Sequence, residues 1–159
     1  MRPLLVALWV TLGVAAPYDG HQESLAPEHM PAQAVRLDEA STVKINIRIA
    51  DGIIPATLNG SKAAQDFAAL LPLSLTLEDY ASTEKISDLP KRLSTDGAPP
   101  GFEPSAGDIT YYAPWGNLAM FYRDFEYSTG LVSLGTLASG ADIFASSRSM
   151  QVTFELAPR

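Results

Sequence analysis

The chain has 159 residues, 47% of them hydrophobic, and its 11 basic against 18 acidic residues give a formal charge of -7. That length suits one domain with extra segments, and the acidic balance, with no basic cluster longer than Lys91-Arg92, excludes the concentrated positive patch that nucleic acid requires. There is no cysteine, and the two histidines, His21 and His29, both precede the first patterned strand, so disulfides, thiol nucleophiles, histidine zinc sites and Ser-His-Asp triads are excluded from the domain that follows.

The N-terminus comes first. Arg2, an apolar stretch from Leu4 to Val14 and then small residues have the layout of a secretory signal, too short to span a bilayer as a mature helix. Cleavage after Ala15 puts Gly13 and Ala15 at the small-residue positions and keeps Pro17 off the cut, so residues 1–15 are expected to be removed. The mature chain is then an exported protein, periplasmic or secreted, with no membrane span. Residues 16–42 hold Pro17, Pro27 and Pro31 and five acidic residues against Arg36, a composition that predicts a disordered linker. The histidines in it are isolated and define no metal site.

A folded domain is expected over 43–159. Val43, Ile45, Ile47 and Ile49 alternate with Lys44, Asn46 and Arg48, the period of a strand with one buried face. Asp51-Gly52 turns the chain into a second strand, Ile53 to Leu58, whose Pro55 predicts an edge or bulge position. Ser61 is a candidate N-cap for a helix over Lys62 to Leu71 that ends at Pro72 and buries Phe67, Leu70 and Leu71. Leu73, Leu75 and Leu77 predict a third strand running into Asp79-Tyr80; Thr83 to Pro90 reads as an irregular connection, and Lys91 to Pro104 as a long Pro/Gly-rich loop. The run GDITYYAPWGNLAMFYR from Gly107 to Arg123 then reads as an aromatic hairpin whose turn holds Pro114, Trp115, Gly116 and Asn117. A strand at Gly130 to Leu137, a short helical turn at Ala141 to Ala145 and a closing strand from Met150 to Leu156 complete a mainly β chain. One main helix, one short helix and this number of short strands point to a closed barrel.

The phrases Asp66-Phe67-Ala68-Ala69-Leu70-Leu71-Pro72, Leu75 to Tyr80, Glu84-Lys85 with Leu89-Pro90, and above all Gly107 to Leu118 resemble the cyclophilin-like domain family of bacterial proteins, over essentially all of Val43 to Leu156. The resemblance implies a closed cyclophilin-like β-barrel. In true cyclophilins prolyl isomerisation depends on an arginine after Phe-His on the strand that follows the first helix. The matching strand here, Leu75 to Tyr80, has no arginine and carries Glu78 and Asp79, which removes the electrostatic stabilisation of the twisted amide and argues against catalysis. Members of the family also resemble companions of flavodoxin-type redox proteins. This chain has no Gly-rich phosphate-cradling turn, so no cofactor of its own is expected and any flavin would be a partner's.

A binding site, if the barrel has one, is expected among Tyr80, Glu84, Tyr111, Tyr112, Trp115, Asn117, Phe121 and Tyr122, with Tyr80, Glu84, Tyr112, Trp115, Asn117 and Tyr122 the principal ligand-binding candidates. Aromatic walls with a few polar groups suit small ligands and peptides. Alternation sets Tyr111 and Tyr112 on opposite faces, and likewise Phe121 and Tyr122, so about half of these belong to the core or the outer surface. Glu84 and Lys85 read as a solvated ion pair or a polar pair at the barrel mouth, and Asp108 as a turn carboxylate, with Glu78 and Asp79 as carboxylates that could join it. The leading expectation is a non-catalytic module that binds a small molecule or an extended peptide through the aromatic hairpin and the Pro-rich loop. The alternatives are a weak or divergent prolyl isomerase, an accessory module of a flavodoxin-type system, and a purely structural role.

Overall fold

Alternation in the first patterned segment becomes β1 (Val43–Ile49), paired antiparallel along its whole length with β2 (Gly52–Leu58) in a computed structural model that describes residues 42–159. The expected signal peptide, the expected linker up to residue 41 and both histidines lie outside the described residues. Pro55 sits where β2 is half open, because the neighbouring strand reaches only Ala56 to Leu58.

The helix α1 (Lys62–Ala68) starts as expected, with the Ser61 hydroxyl accepting from the Ala64 amide at 3.1 Å. It ends earlier than the pattern predicts. Leu71 precedes a proline and is disfavoured in helical geometry, and the last turn tightens through bonds from Leu70 N to Phe67 O and from Leu71 N to Ala68 O. Its buried face is therefore Ala63, Ala64 and Phe67, with Phe67 edge-on to Phe154 at 5.4 Å inside the core. The helix plugs the barrel.

β3 (Leu73–Tyr80) turns at Ala81-Ser82 into β4 (Glu84–Asp88), a strand where an irregular connection is expected from sequence. Two features hide it. Its sequence Glu-Lys-Ile-Ser-Asp has one apolar residue, and its turn lacks Asn and Gly although Ala81 and Ser82 both sit at positive φ, 54° and 55°. Left-handed backbone is costly for residues with a Cβ. Ala81→Asn combined with Ser82→Gly is thus expected to stabilise the domain by about 1 kcal/mol, read as a higher urea midpoint with unchanged slope.

The long loop passes through β5 (Gly101–Phe102) into β6 (Asp108–Tyr112) and β7 (Asn117–Phe121); after it come β8 (Ser128–Thr129), β9 (Leu131–Leu137), a 3-10 helix (Ala141–Ser146) and β10 (Ser149–Leu156). Eight strands close in the order β1-β10-β3-β4-β7-β6-β9-β2, and β5 and β8 form a separate ribbon. The barrel interior holds Ile45, Ile47, Leu58, Leu77, Ile109, Tyr111, Leu118, Met120 and Phe154. A second, smaller apolar cluster of Ala119, Phe121 and Leu131 lies on the other face of the β6-β7-β9 wall, with Phe102 and Tyr112 packed on it. This outer cluster positions the site.

Candidate functional site

Period-2 alternation along β7 sends Leu118 and Met120 inward and leaves Asn117, Ala119 and Phe121 outside. Together with Leu131 of β9 they floor a pocket of about 200 Å³. Phe125 and Ser128, from the connection after β7, form one side, and Ala81, Thr83 and Glu84, from the β3-β4 turn and β4, form the other. Trp115 arches over from the β6-β7 turn, 58% exposed, and meets two tyrosines edge-on: Tyr112 at 5.3 Å and Tyr80 at 5.8 Å between ring centroids. Such T-shaped pairs hold a ring in place beyond what burial supplies. Phe121 and Phe125 stack at 6.1 Å along the floor.

The turn that carries Trp115 is braced. Gly116 takes φ 78°, its amide donates to Tyr112 O at 2.8 Å, and Arg92 lies against it with Nη1 donating to Ala113 O at 2.9 Å. Leu93 N donates to the Tyr111 hydroxyl and Ser94 N to Asp66 Oδ2, so the Pro-rich loop is pinned to the core and the helix. No residue of that loop lines the pocket. Its visible role is support.

Of the principal candidates, Tyr80, Glu84, Tyr112, Trp115 and Asn117 line this pocket, as does Phe121. Asn117 is the first residue of β7 and not part of the turn, and it is 3% exposed. Tyr122 is elsewhere. One residue beyond Phe121 on the strand, it points to the opposite face, joins the interior cluster, and its hydroxyl donates to Asp79 Oδ1 at 2.6 Å. Tyr111 likewise is core. The residues that sequence reasoning passed over include Ala119, which the i, i+2 step from Asn117 would have found, and Phe125, which sits in an unpatterned stretch and carries no such signal.

Glu84 and Lys85 are neither a solvated pair nor a pair at all, since adjacent strand residues face opposite ways. Lys85 is fully buried, its ammonium donating to Asp79 Oδ1 at 3.0 Å and to the main-chain carbonyl of Ser147, 5.8 Å from the centre of the Tyr122 ring. The Tyr122 hydroxyl and then Lys85 hold the Asp79 carboxyl below its usual range, while burial and Asp79 push the Tyr122 phenol up to about 12. Asp79 is therefore committed inside, not free to act with Asp108, which caps its own turn by accepting from Ser105 N at 2.8 Å. Glu78 accepts from Ser149 Oγ at 2.7 Å on the exterior.

Glu84 stands alone in the pocket. Among the described residues nothing donates to its carboxylate, and burial against the apolar walls pushes it up to about 7. A raised carboxyl makes the folded state hold its proton longer than the unfolded chain, so stability falls as pH rises from about 4.5 to about 7 and is level above that. Glu84→Gln is expected to flatten this part of the pH-stability curve. At pH 8 it should gain about 1 kcal/mol, less than the shift alone implies because pocket water screens the charge.

The barrel has known counterparts. A model of the cyclophilin-like family matches residues 47–155. Among solved structures, the chain is similar to the solution structure of a hypothetical protein from Archaeoglobus fulgidus, 14% identical, with a TM-score of 0.53 over 74% of this chain and 96% of that one. At that identity the likeness shows the fold alone. No curated protein matches the chain. Among the described residues no helix is long and apolar enough to cross a membrane. With the family match spanning most of the barrel, from β1 to β10, the chain belongs to the cyclophilin-like family.

Proposed function

We propose that this protein is an exported binding module that holds a small molecule or an extended peptide in the aromatic pocket beneath Trp115. One observation carries the reading: a large indole kept 58% exposed at the lip of an apolar, preformed pocket, and fixed there by two tyrosines and a braced turn. Exposed aromatic side chains at such a lip, with Phe125 and Tyr127 also exposed beside it, are what ligand and partner sites present. The lining supplies a single carboxylate and no guanidinium, which favours holding a ligand over acid/base or amide-twisting chemistry. The layout of residues 1–15 supports export, and the N-terminal sequence of the secreted protein tests it.

Trp115→Ala is expected to weaken ligand binding at least about tenfold, as loss of a central aromatic anchor does, while leaving the melting temperature nearly unchanged because the indole is mostly exposed. Peptide titrations followed by amide NMR shifts read the affinity. A protease-coupled proline-peptide assay run beside them is expected to show no turnover above background; clear turnover would replace this reading with an isomerase whose catalytic group has moved.

A further inference from the structure

The class of ligand can be named, on the footing that the pocket binds one. In the sheet, Glu84 of β4 has Tyr80 of β3 as its register partner on one side and Phe121 of β7 on the other. Side chains directly opposed on one face have Cβ atoms about 4.5–5.5 Å apart, so the stem of Glu84 rises between two rings, and all three residues line the pocket. Glu84 is the one charged residue of that lining. Among the described residues neither a cation nor a hydrogen-bond donor reaches its carboxylate.

The rest of the lining is mostly aromatic: Tyr112, Trp115 and Phe125 join Tyr80 and Phe121 around the carboxylate. The face of such a ring is its negative side and attracts a cation. Trp115 stands nearly perpendicular to both tyrosines, at 83° to Tyr80 and 84° to Tyr112, so the ring planes are turned in different directions, as in a cage and not a flat platform. An unpaired carboxylate among such rings is complementary to a positive charge. The cation it suits is a soft one. A primary ammonium brings three N–H donors to a lining whose one charged acceptor is Glu84, and any donor left unmet against apolar walls costs free energy. A quaternary ammonium has no donor to leave unmet and spreads its charge over methyl groups that pack on ring faces.

We infer that the pocket takes the trimethylammonium head of a small solute, with the charge set against Glu84 and the methyl groups against the rings of Tyr80, Tyr112, Trp115 and Phe121. A space of about 200 Å³ equals roughly six or seven waters of liquid, enough for that head and the first carbons behind it. The formal charge of -7 draws cations toward the protein. Trp115, 58% exposed at the lip, leaves the chain behind the head a way out to solvent.

The test uses the full chain, nitrogen-labelled so that the Trp115 indole N–H and the pocket amides are read by NMR, and three small probes at pH 8. Choline carries the head; 3,3-dimethyl-1-butanol has its shape without its charge; ethanolamine is cationic but keeps its N–H donors. Choline is expected to bind at least about tenfold tighter than either. Glu84→Gln, expected to be folded and more stable at that pH, should bring choline down to the level of dimethylbutanol, and Trp115→Ala should weaken both. Dimethylbutanol binding as tightly as choline overturns the inference and leaves an apolar binding pocket standing. Ethanolamine matching choline overturns the methylated class, and a choline preference unchanged in Glu84→Gln overturns the part given to the carboxylate. Vesicles of phosphatidylcholine are expected not to displace choline; displacement would overturn a free solute as the source of the head group. If none of the three probes moves the pocket resonances the inference falls, while the peptide titrations with Trp115→Ala decide the binding reading separately.

Discussion

Lys85→Met is expected to lower the stability of the barrel by about 3 kcal/mol, although methionine fills nearly the same volume and the site is fully buried. The ammonium at that position ties three elements together: Asp79 at the end of β3, the main-chain carbonyl of Ser147 after the 3-10 helix, and the face of Tyr122 beyond β7. Removing it leaves the Ser147 carbonyl without its donor and Asp79 with only the Tyr122 hydroxyl and the Ser82 amide. An unpaired group in a buried network costs more than the original bond contributed. The double variant Lys85→Met with Asp79→Leu should recover part of the loss, because both partners then become apolar, and a double-mutant cycle by urea unfolding reads the coupling. Since Asp79 is held below its usual range, the network is intact at neutral pH and is lost as pH falls through the depressed carboxyl, so Lys85→Met should be less destabilising in acid. A destabilisation that stays constant as pH is lowered through the Asp79 titration, followed by its carboxyl NMR shift, would show that Lys85 acts independently of the Asp79 charge.

That network marks the boundary of what the amino-acid sequence discloses. Strands with clean alternation, β1, β3 and β10, are legible from Val43-Ile49, Leu73-Leu77 and Met150-Leu156, and so is the aromatic hairpin. β4 is not, because its one fully buried side chain is a lysine and its turn puts Ala and Ser where Asn and Gly are the recognisable signal. Missing β4 has consequences for the site. Once Glu84 and Lys85 are seen as neighbours on a strand they must part, one to the outer pocket and one to the interior, and the apparent surface pair dissolves. The same period explains why Phe121 is in the pocket and Tyr122 is not. What no local pattern could show is the arch: Trp115 reaches Tyr80 across two strands, a contact between residues 35 apart in the chain that exists only after β3, β4, β7 and β6 have been set side by side. The Pro-rich loop misleads for a related reason. Its composition signals exposure, but its backbone amides are held by Tyr111 and Asp66, and it serves the site by bracing the turn from behind.

Gly135→Ala is expected to cost about 3 kcal/mol, and more if the seam beside it opens. In the strand Gly130 to Leu137 this glycine reads as an ordinary small residue, yet it is buried, and a Cβ there would lie 2.1 Å from Thr57 O and 2.7 Å from Leu58 Cα, both main-chain atoms of β2. Neither can swing away as a side chain would. The seam is also short, three paired positions from Ala56 to Leu58 against Gly135 to Leu137, and next to it the β6-β9 ladder slips register between Ile109 and Thr110. A bulge beside a glycine lets one strand bend sharply enough to close the cylinder, and the missing side chain lets the two backbones meet. An added methyl must push β9 off β2, breaking the Asn59 N to Leu134 O bond at 2.8 Å and the Asn59 side-chain bond to Ser133 O at 3.0 Å along with the ladder. Overpacking in a rigid core typically costs 1–3 kcal/mol, roughly, and the loss of these bonds adds to it. Hydrogen exchange distinguishes the mechanism: amides of Ala56 to Asn59 and of Gly135 to Leu137 should lose protection ahead of those in β3, β4 and β7. Uniform loss across the barrel would mean that closure at this seam is not the separable step. The pocket, whose floor reaches β9 only at Leu131, four residues before Gly135, and whose lining includes no residue of β2, should keep its ligand affinity in the folded fraction.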